Sequence, residues 1–398
     1  MGLLPAPAHP PGSSWGRWPR ATGQQLHALP HREAELPLSR APLLAYGRGR
    51  SYGDSCLNAA GTLLLTRALD HLLAFDPELG VLDCEAGITL GEILAFAVPR
   101  GWFLPVTPGT QFASVGGAIA NDVHGKNHHV AGSFGDHVLG LELRRSEGGA
   151  AWLEPGQALF HATVGGLGLT GLITRARLRL QRVAGPWMQV ESIRMDGLDA
   201  FFELSQASAQ SHAYTVAWID CLARGATLGR GHFLRANHAA PGAAGKLPGA
   251  APSLPLTPPL SLVNRLSLRP FNSLYFHRQW KPRVQRVEHY RPYFYPLDAI
   301  GGWNRMYGPR GFLQHQCVLP PEHAREGVRA LLDAIARSGE GSFLAVLKEF
   351  GQRSAPGLLS FCRPGTTLAL DFARSARSLA LLDRLDAIVA EAGGAVYP

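Results

Sequence analysis

Short apolar runs separated by turn residues open the readable part of the chain. They fall at Leu43–Tyr46, Thr62–Thr66, Leu72–Phe75 and Val81–Glu85 and predict strands. Thr89–Arg100 predicts a helix, with Thr89 and Glu92 spaced as a capping box and Gly101 past its end. A second short helix is expected from Ser114, its N-terminus offering free N–H groups to an anion beside Pro108-Gly109-Thr110. Gln157–Val164 predicts helix and Gly165–Gly171 a loop of close approach. Leu172–Arg182 alternates, with Ala176, Leu178 and Leu180 inward and Arg175, Arg177 and Arg179 on a solvated face.

The composition changes near Pro186, which places a boundary between a domain at 41–185 and a second at 186–345. Residues 1–40 are expected as a leader, partly disordered and carrying a short helical stretch. Strands alternate with helices over 187–350, interrupted by an Ala-, Gly- and Pro-dense segment at about 239–259 that reads as a mobile loop. Residues 346–398 are expected to return toward the first domain. Ser378–Ala392 has the apolar stripe of an amphipathic helix, Gly393-Gly394 end it, and Ala395-Val396-Tyr397 begins as a strand. The chain stops at Pro398 as if in mid-element.

Length and composition narrow the classes. A chain of 398 residues, 46% hydrophobic and 17% charged, buries a sizeable core. The net charge of +8 comes from 34 Arg and four Lys without a basic run, so a nucleic-acid partner is not expected, and a diffuse positive field favours an anionic substrate or a membrane surface. Five widely spaced cysteines without a C-x-x-C pair point to reduced thiols, no metal site and a cytoplasmic location. No apolar run reaches membrane-spanning length, which leaves peripheral association with a membrane.

The chemistry lies between Tyr46 and His129. Gly47-Arg48-Gly49-Arg50-Ser51-Tyr52-Gly53-Asp54 is followed by Pro108-Gly109-Thr110, by Ser114-Val115-Gly116-Gly117-Ala118 and by His124-Gly125-Lys126-Asn127-His128-His129. Glycines let backbone amides approach phosphate oxygens closely. Gly47-x-Gly49 does not open a helix, so it is not a Rossmann fingerprint.

Together with Gly165-x-x-Gly168-x-x-Gly171, these motifs resemble the vanillyl-alcohol-oxidase/PCMH flavoprotein superfamily. Within it, the resemblance extends through Gly302–Gly308, Gly311–Gln316 and Ser342–Lys348 to a branch that oxidises polyprenyl-phosphoryl pentofuranoses. It implies an α+β fold, a PCMH-type two-subdomain FAD-binding domain followed by an α+β substrate domain with an antiparallel sheet. It implies FAD contacts at Gly47, Arg48, Gly49, Arg50, Ser51, Tyr52, Gly53, Asp54, Ser55, Gly109, Ser114, Val115, Gly116, Gly117, His124, Gly125, Lys126, Asn127 and Ile173. Arg50 stands where many relatives carry a flavin-linked histidine, so the FAD is expected to be non-covalent. Tyr52, His124 and Lys348 are the candidate catalytic groups, and Lys126, Gln314, Gln316 and Lys348 the candidate substrate ligands, with Arg305 a further phosphate candidate. Lys348 alternatively pairs with Asp371. Ala369 replaces a reactive pocket cysteine of relatives, and Thr366-Thr367 a Trp-Asn pair. Relatives also continue beyond Tyr397 into a lysine and a helical tail.

The activity expected is oxidation of a sugar secondary alcohol, the 2′-hydroxyl of a polyprenyl-phosphoryl pentofuranose, to a ketone as the first half of an epimerisation. An NAD(P)H-dependent short-chain reductase would complete it. The alternatives are an aldonolactone or alditol oxidase using O2, and a truncated flavoprotein with a binding role only.

Overall fold

The computed structural model describes residues 9–146, 149–249 and 251–398. The first half builds two small sheets. Gln25–Ala28 (β1) and Leu43–Tyr46 (β2) flank Thr62–Leu65 (β3), both parallel to it. Parallel sheets are covered on both faces. Here Leu29 and Leu172 pack on Leu64 from one side, and Tyr46 and Cys56 on Leu63 from the other.

Leu72–Asp76 (β4) and Val81–Glu85 (β5) begin an antiparallel sheet. Leu90–Ala97 (α1) follows with the expected capping box: Glu92 N–H donates to the Thr89 hydroxyl, and Thr89 N–H to the Glu92 carboxylate. Gly101, at φ +77°, stops the turn after it. Next come Trp102–Phe103 (β6), Val115–Ala120 (α2), His128–Ala131 (α3), Val138–Arg145 (β7), Gly149–Leu153 (β8) and Ala158–Thr163 (α4). Leu172–Arg179 (β9) completes the five-stranded order β4-β5-β9-β7-β8, and Gln181–Arg182 (β10) pairs with β6.

The arginines of β9 depart from expectation. Register sets Asp83 opposite Arg177, and Arg175 and Arg177 both clamp its buried carboxylate, at 2.8 and 2.9 Å. Their hydrogen bonds hold Asp83 below the usual carboxylate range against burial, which alone would raise it. The face is a charged clamp, because a neighbouring strand supplies the counter-ion that one strand's alternation cannot reveal.

The second half is an eight-stranded antiparallel sheet with three helices packed on one face and two more over part of the other. Its elements are Trp187–Met195 (β11), Leu198–Ser208 (α5), Tyr214–Ile219 (β12), Gly231–His238 (β13), Arg265–His277 (α6), Arg283–His289 (β14), Tyr290–Phe294 (α7), Phe312–Leu319 (β15), Pro321–Ser338 (α8), Ala345–Phe350 (β16), Gly365–Ala373 (β17), Ala376–Glu391 (α9) and Ala395–Val396 (β18). The strand order is β14-β11-β13-β12-β16-β17-β15-β18. Phe201 of α5, Leu331 and Ile335 of α8, and Leu385 and Val389 of α9 pack on Ala217, Phe233, Leu347, Leu368 and Leu370. Strand residues alternate between faces. The intervening Trp218, Leu234, Gln316, Lys348 and Ala369 therefore turn to the other side, where α6 covers Trp218 and α7 covers Tyr214.

Three expectations change. The helical stretch before residue 40 is replaced by strand β1. Residues 1–8 lie outside the described residues, but residues 9–40 of the expected leader have defined structure. Trp15 is buried against Trp303, its N–H donates to Ser51 O, and Phe312 N–H donates to Gly16 O. Buried aromatic surface fastens a segment whose prolines and glycines read as disordered. The 239–259 segment, apart from Ala250, which is outside the described residues, is tied down at both ends, the first by Ala239 N–H donating to Trp187 O. Leu254 N–H donates to Gly301 O, and Arg305 donates to Leu254 O and Pro255 O. Arg305 is thus an anchor for this segment and not a free phosphate ligand.

Between β16 and β17 the chain crosses to the first half. Gly351 N–H donates to His128 Nδ1, Leu358 N–H to His161 O, and Ser360 Oγ to Asp122.

Candidate active site

A cavity of about 1300 Å³ lies between the glycine-rich segments of the first half and the face of the large sheet opposite α5, α8 and α9. That exceeds the roughly 300–1,000 Å³ of ordinary small-molecule sites. It has room for a dinucleotide and a second ligand.

One wall is backbone. Among the described residues, no amide from Gly47 to Gly53 donates to another protein group, nor do those of Gly109 and Thr110. A Cβ at Gly47 would lie 2.4 Å from Ser114 Oγ, and Gly49 has φ +63°. At Gly53 and Gly109 a Cβ would meet nothing within 4 Å, because these positions face open space. Arg50 stacks between Trp15 and Phe112, at 4.1 and 5.2 Å. Its buried Nε and Nη1 have no partner, and burial lowers its pKa to about 10. Free amides and an unpaired guanidinium are the donors a diphosphate requires. The residues present therefore fit FAD.

The N-terminus of α2 does not contribute as expected. Val115 N–H donates to Ile88 O, Gly116 N–H to Ala86 O and Gly117 N–H to Ser114 Oγ. Its amides are already engaged, so the anion donors come from the two turns. Ser114, Gly116 and Gly117 still line the cavity.

The other wall is made of side chains. Gln316 Nε2 donates to His124 Nε2 (2.8 Å) and to Thr367 Oγ1 (3.1 Å). This leaves the imidazole proton on Nδ1, a buried atom without a partner. Phe350, Phe361 and Tyr397 surround His124, their ring centroids 4.9–5.9 Å away. Burial, then the charge of Lys348, holds its pKa well below the usual imidazole value, so it is neutral at pH 7. Lys348 lines the cavity with its pKa lowered by burial to about 8. Asp371 does not pair with it. That buried carboxyl accepts from Gln314 Nε2 (2.9 Å), and burial raises it to about 7.

Tyr52 sits edge-on to Phe312 (5.3 Å), and burial followed by the Asp371 charge raises its phenol well above 10. It is a hydrogen-bond donor and not a base. Lys126 Nζ donates to Phe294 O (2.9 Å), and burial lowers it to about 7.

Of the sequence-derived candidates, Gly47, Arg48, Gly49, Arg50, Ser51, Tyr52, Gly53, Ser55, Gly109, Ser114, Gly116, Gly117, His124, Gly125, Lys126, Ile173, Gln314, Gln316 and Lys348 line the one cavity. Three do not. Asp54 is exposed, Val115 is core, and buried Asn127 donates to Pro105 O. Ala369 and Tyr397 also border the cavity. Asp298 escaped the sequence reading. It lines the cavity, accepts from Thr110 Oγ1 and Gln111 N–H, and is raised by burial to about 6. Its only signal was a lone acid in an otherwise apolar and aromatic segment, Tyr293–Ile300.

An FAD binding domain model matches residues 36–154. Decaprenylphosphoryl-beta-D-ribose oxidase of Mycolicibacterium smegmatis is 37% identical over 89% of this chain and 79% of its own length. A Streptomyces coelicolor protein named "Uncharacterized protein in mprA 5'region" is 38% identical over 78% of this chain and 88% of its own. D-lactate dehydrogenase of Archaeoglobus fulgidus is 32% identical over 34% of this chain and 31% of its own length. A cavity with diphosphate donors on one wall and a neutral imidazole beside a lysine on the other accords with these relatives. The chain belongs to the decaprenylphosphoryl-β-D-ribose oxidase family of FAD-dependent oxidoreductases.

Proposed function

We propose that the chain oxidises a secondary hydroxyl of a polyprenyl-phosphoryl pentofuranose, the 2′-hydroxyl, to a ketone. The observation that carries this reading is the 37% identity along 89% of the chain to a ribose oxidase. The sheet wall supports it, with His124, Lys348 and Gln316 gathered at the cavity. FAD, when bound, supplies the two-electron acceptor for the carbinol carbon. The protein's task is to hold the hydroxyl and take its proton. His124 is neutral, its Nε2 lone pair taken by Gln316, so it offers its Nδ1–H to the sugar oxygen, while Lys348, lowered to about 8, is the group that can take the proton. Tyr52, whose phenol stays protonated at neutral pH, is a further hydrogen-bond donor at the cavity. Arg50 serves the cofactor non-covalently, without a histidine in its turn.

The ketone would be the substrate of an NAD(P)H-dependent reductase, which completes an epimerisation. Because a polyprenyl chain resides in lipid, the protein would work at a membrane surface. Among the described residues no helix is long and apolar enough to cross a membrane.

Anaerobic flavin bleaching with polyprenyl-phosphoryl pentoses, xylitol, sorbitol and aldonolactones tests the reading. The expected result is rapid bleaching by the phosphoryl pentoses alone. Bleaching by a free polyol and not by them would transfer the protein to the alditol-oxidase class.

A further inference from the structure

From Cys221 to Val287 the chain carries ten Lys and Arg and no Asp or Glu. Carboxylates elsewhere neutralise several: Arg230 meets Asp220, Arg235 and Arg283 meet Glu191, and Arg265 meets Glu340. Lys246, Arg269, Arg278 and Lys281 are exposed and have no ion-pair partner among the described residues.

The same segment exposes its large apolar side chains. Helix α6 buries Leu268, Asn272 and Phe276 and turns Leu266, Pro270 and Leu274, spaced four residues apart, to solvent. Leu266 is 88% exposed, Leu274 74%, and Trp280, just past the helix, 85%. Leu256 and Leu260 of the preceding segment are each 78% exposed. Single exposed leucines occur elsewhere, but a cluster of them on one helix and its preceding segment, with a tryptophan beside it, marks a surface that something covers.

The position and chemistry of the face identify what covers it. Arg278, Trp280 and Lys281 border the mouth of the cavity, as does Ile300, next to the Gly301 that holds Pro252 and Leu254. Protein interfaces deplete charge at their cores, lysine included, although arginine is enriched there. Here cations alternate with leucines, without a single acid, and a tryptophan stands at the edge. That mixture is the pattern of interfacial segments on anionic lipid.

We propose that α6 and the Leu254–Leu262 segment seat the protein on an anionic lipid surface. The cavity mouth then opens at the membrane, and a lipid-linked substrate enters without its chain crossing water. The last clause rests on the substrate reading above. The seating itself is measured without substrate.

The full chain is floated with vesicles of phosphatidylglycerol and phosphatidylcholine, and with phosphatidylcholine alone, at low and high salt. Binding is expected to the anionic vesicles at low salt, falling at least about tenfold without phosphatidylglycerol or at high salt. A combined Leu266→Ser, Leu274→Ser and Arg269→Glu variant should lose at least about tenfold, since one basic residue alone contributes roughly fivefold. All three side chains are exposed, so flavin content and melting temperature should hold and report folding. Wild-type protein that ignores anionic vesicles, or a folded variant that floats like wild type, overturns the proposal. So does a dimer in sedimentation velocity that the variant dissociates while vesicle binding stays unchanged. If vesicles bind but phosphoryl pentoses do not bleach the flavin, the seating stands and the substrate reading fails. If bleaching occurs without vesicle binding, the reverse holds.

Discussion

The two walls of the cavity differ in what they are made of. The Gly47–Gly53 and Pro108–Thr110 turns present backbone amides and one stacked arginine, whereas the cavity face of the sheet presents Gln316, Lys348 and, nearby, Asp371. Amides do not titrate, and their directions follow from the chain path. Such a wall suits a group that must be gripped the same way throughout turnover. The sheet wall is dry enough to move a lysine to about 8 and a carboxyl to about 7. Groups shifted toward neutral pH suit proton transfer. One wall is thus built for retention and the other for chemistry.

The largest effect that would sharpen this division is expected from Gly47→Val. Its Cβ would press on Ser114 Oγ, separating the first turn from α2. The purified variant should be colourless; full flavin content in its absorption spectrum would refute the backbone grip. Next, His124→Ala and Lys348→Met should each slow anaerobic flavin bleaching by about 10²–10⁴-fold while retaining FAD. Bleaching at the wild-type rate in stopped flow would return both residues to packing roles.

Arg50→Met should weaken FAD binding by about 10- to 100-fold, the worth of a charge-assisted hydrogen bond, and leave the bleaching rate of the saturated enzyme unchanged. Equilibrium titration of the apoprotein measures the first and stopped flow the second. A slowed rate at saturation would blur the two walls. The smallest effect concerns stability. Asp371 is raised from 3.8 to about 7, so its contribution is fully present below about pH 4 and is lost as pH rises through about 7. Lys348 acts in the opposite sense and higher up: lowered to about 8, it costs stability below that pH and recovers toward 10.5. Melting curves should therefore show a fall between pH 4 and 7 that Asp371→Asn flattens, since asparagine still accepts from Gln314. An unflattened fall would assign the loss to other groups, Glu349 among them, which burial also raises to about 7.

The two walls were also unequally legible. The glycine turns could be read because glycine spacing is local, and the α1 capping box and the strand at Val81–Glu85 could be read for the same reason. Asp54 and Asn127 failed within those same motifs. A motif names a stretch, while the turn geometry decides which side chains point inward: Asn127 points to Pro105 O and Asp54 to solvent. On the sheet wall, alternation placed Gln314 and Gln316 on one face but could not say that Asp371, 57 residues away, takes up the first. The free amides of α2 were expected from its capping serine. The Ile88 and Ala86 carbonyls that engage them come from an adjoining segment that helix periodicity does not report.

By itself, then, the sequence determined the local matters: most strand and helix positions, the glycine turns with Gly49 at φ > 0, the absence of a histidine at Arg50, and the family. Tertiary structure decided the pairings. It set Asp83 between two arginines, made an anchor of Arg305 and an ordered cover of Trp15, and gave His124 its amide donor and its aromatic cage. The physical reason is that a dihedral preference depends on a residue and its neighbours. A burial cost or a hydrogen bond depends on whichever distant segment arrives to meet it, and the shifted acidities of His124, Lys348 and Asp371 arise only once the sheet has closed over them.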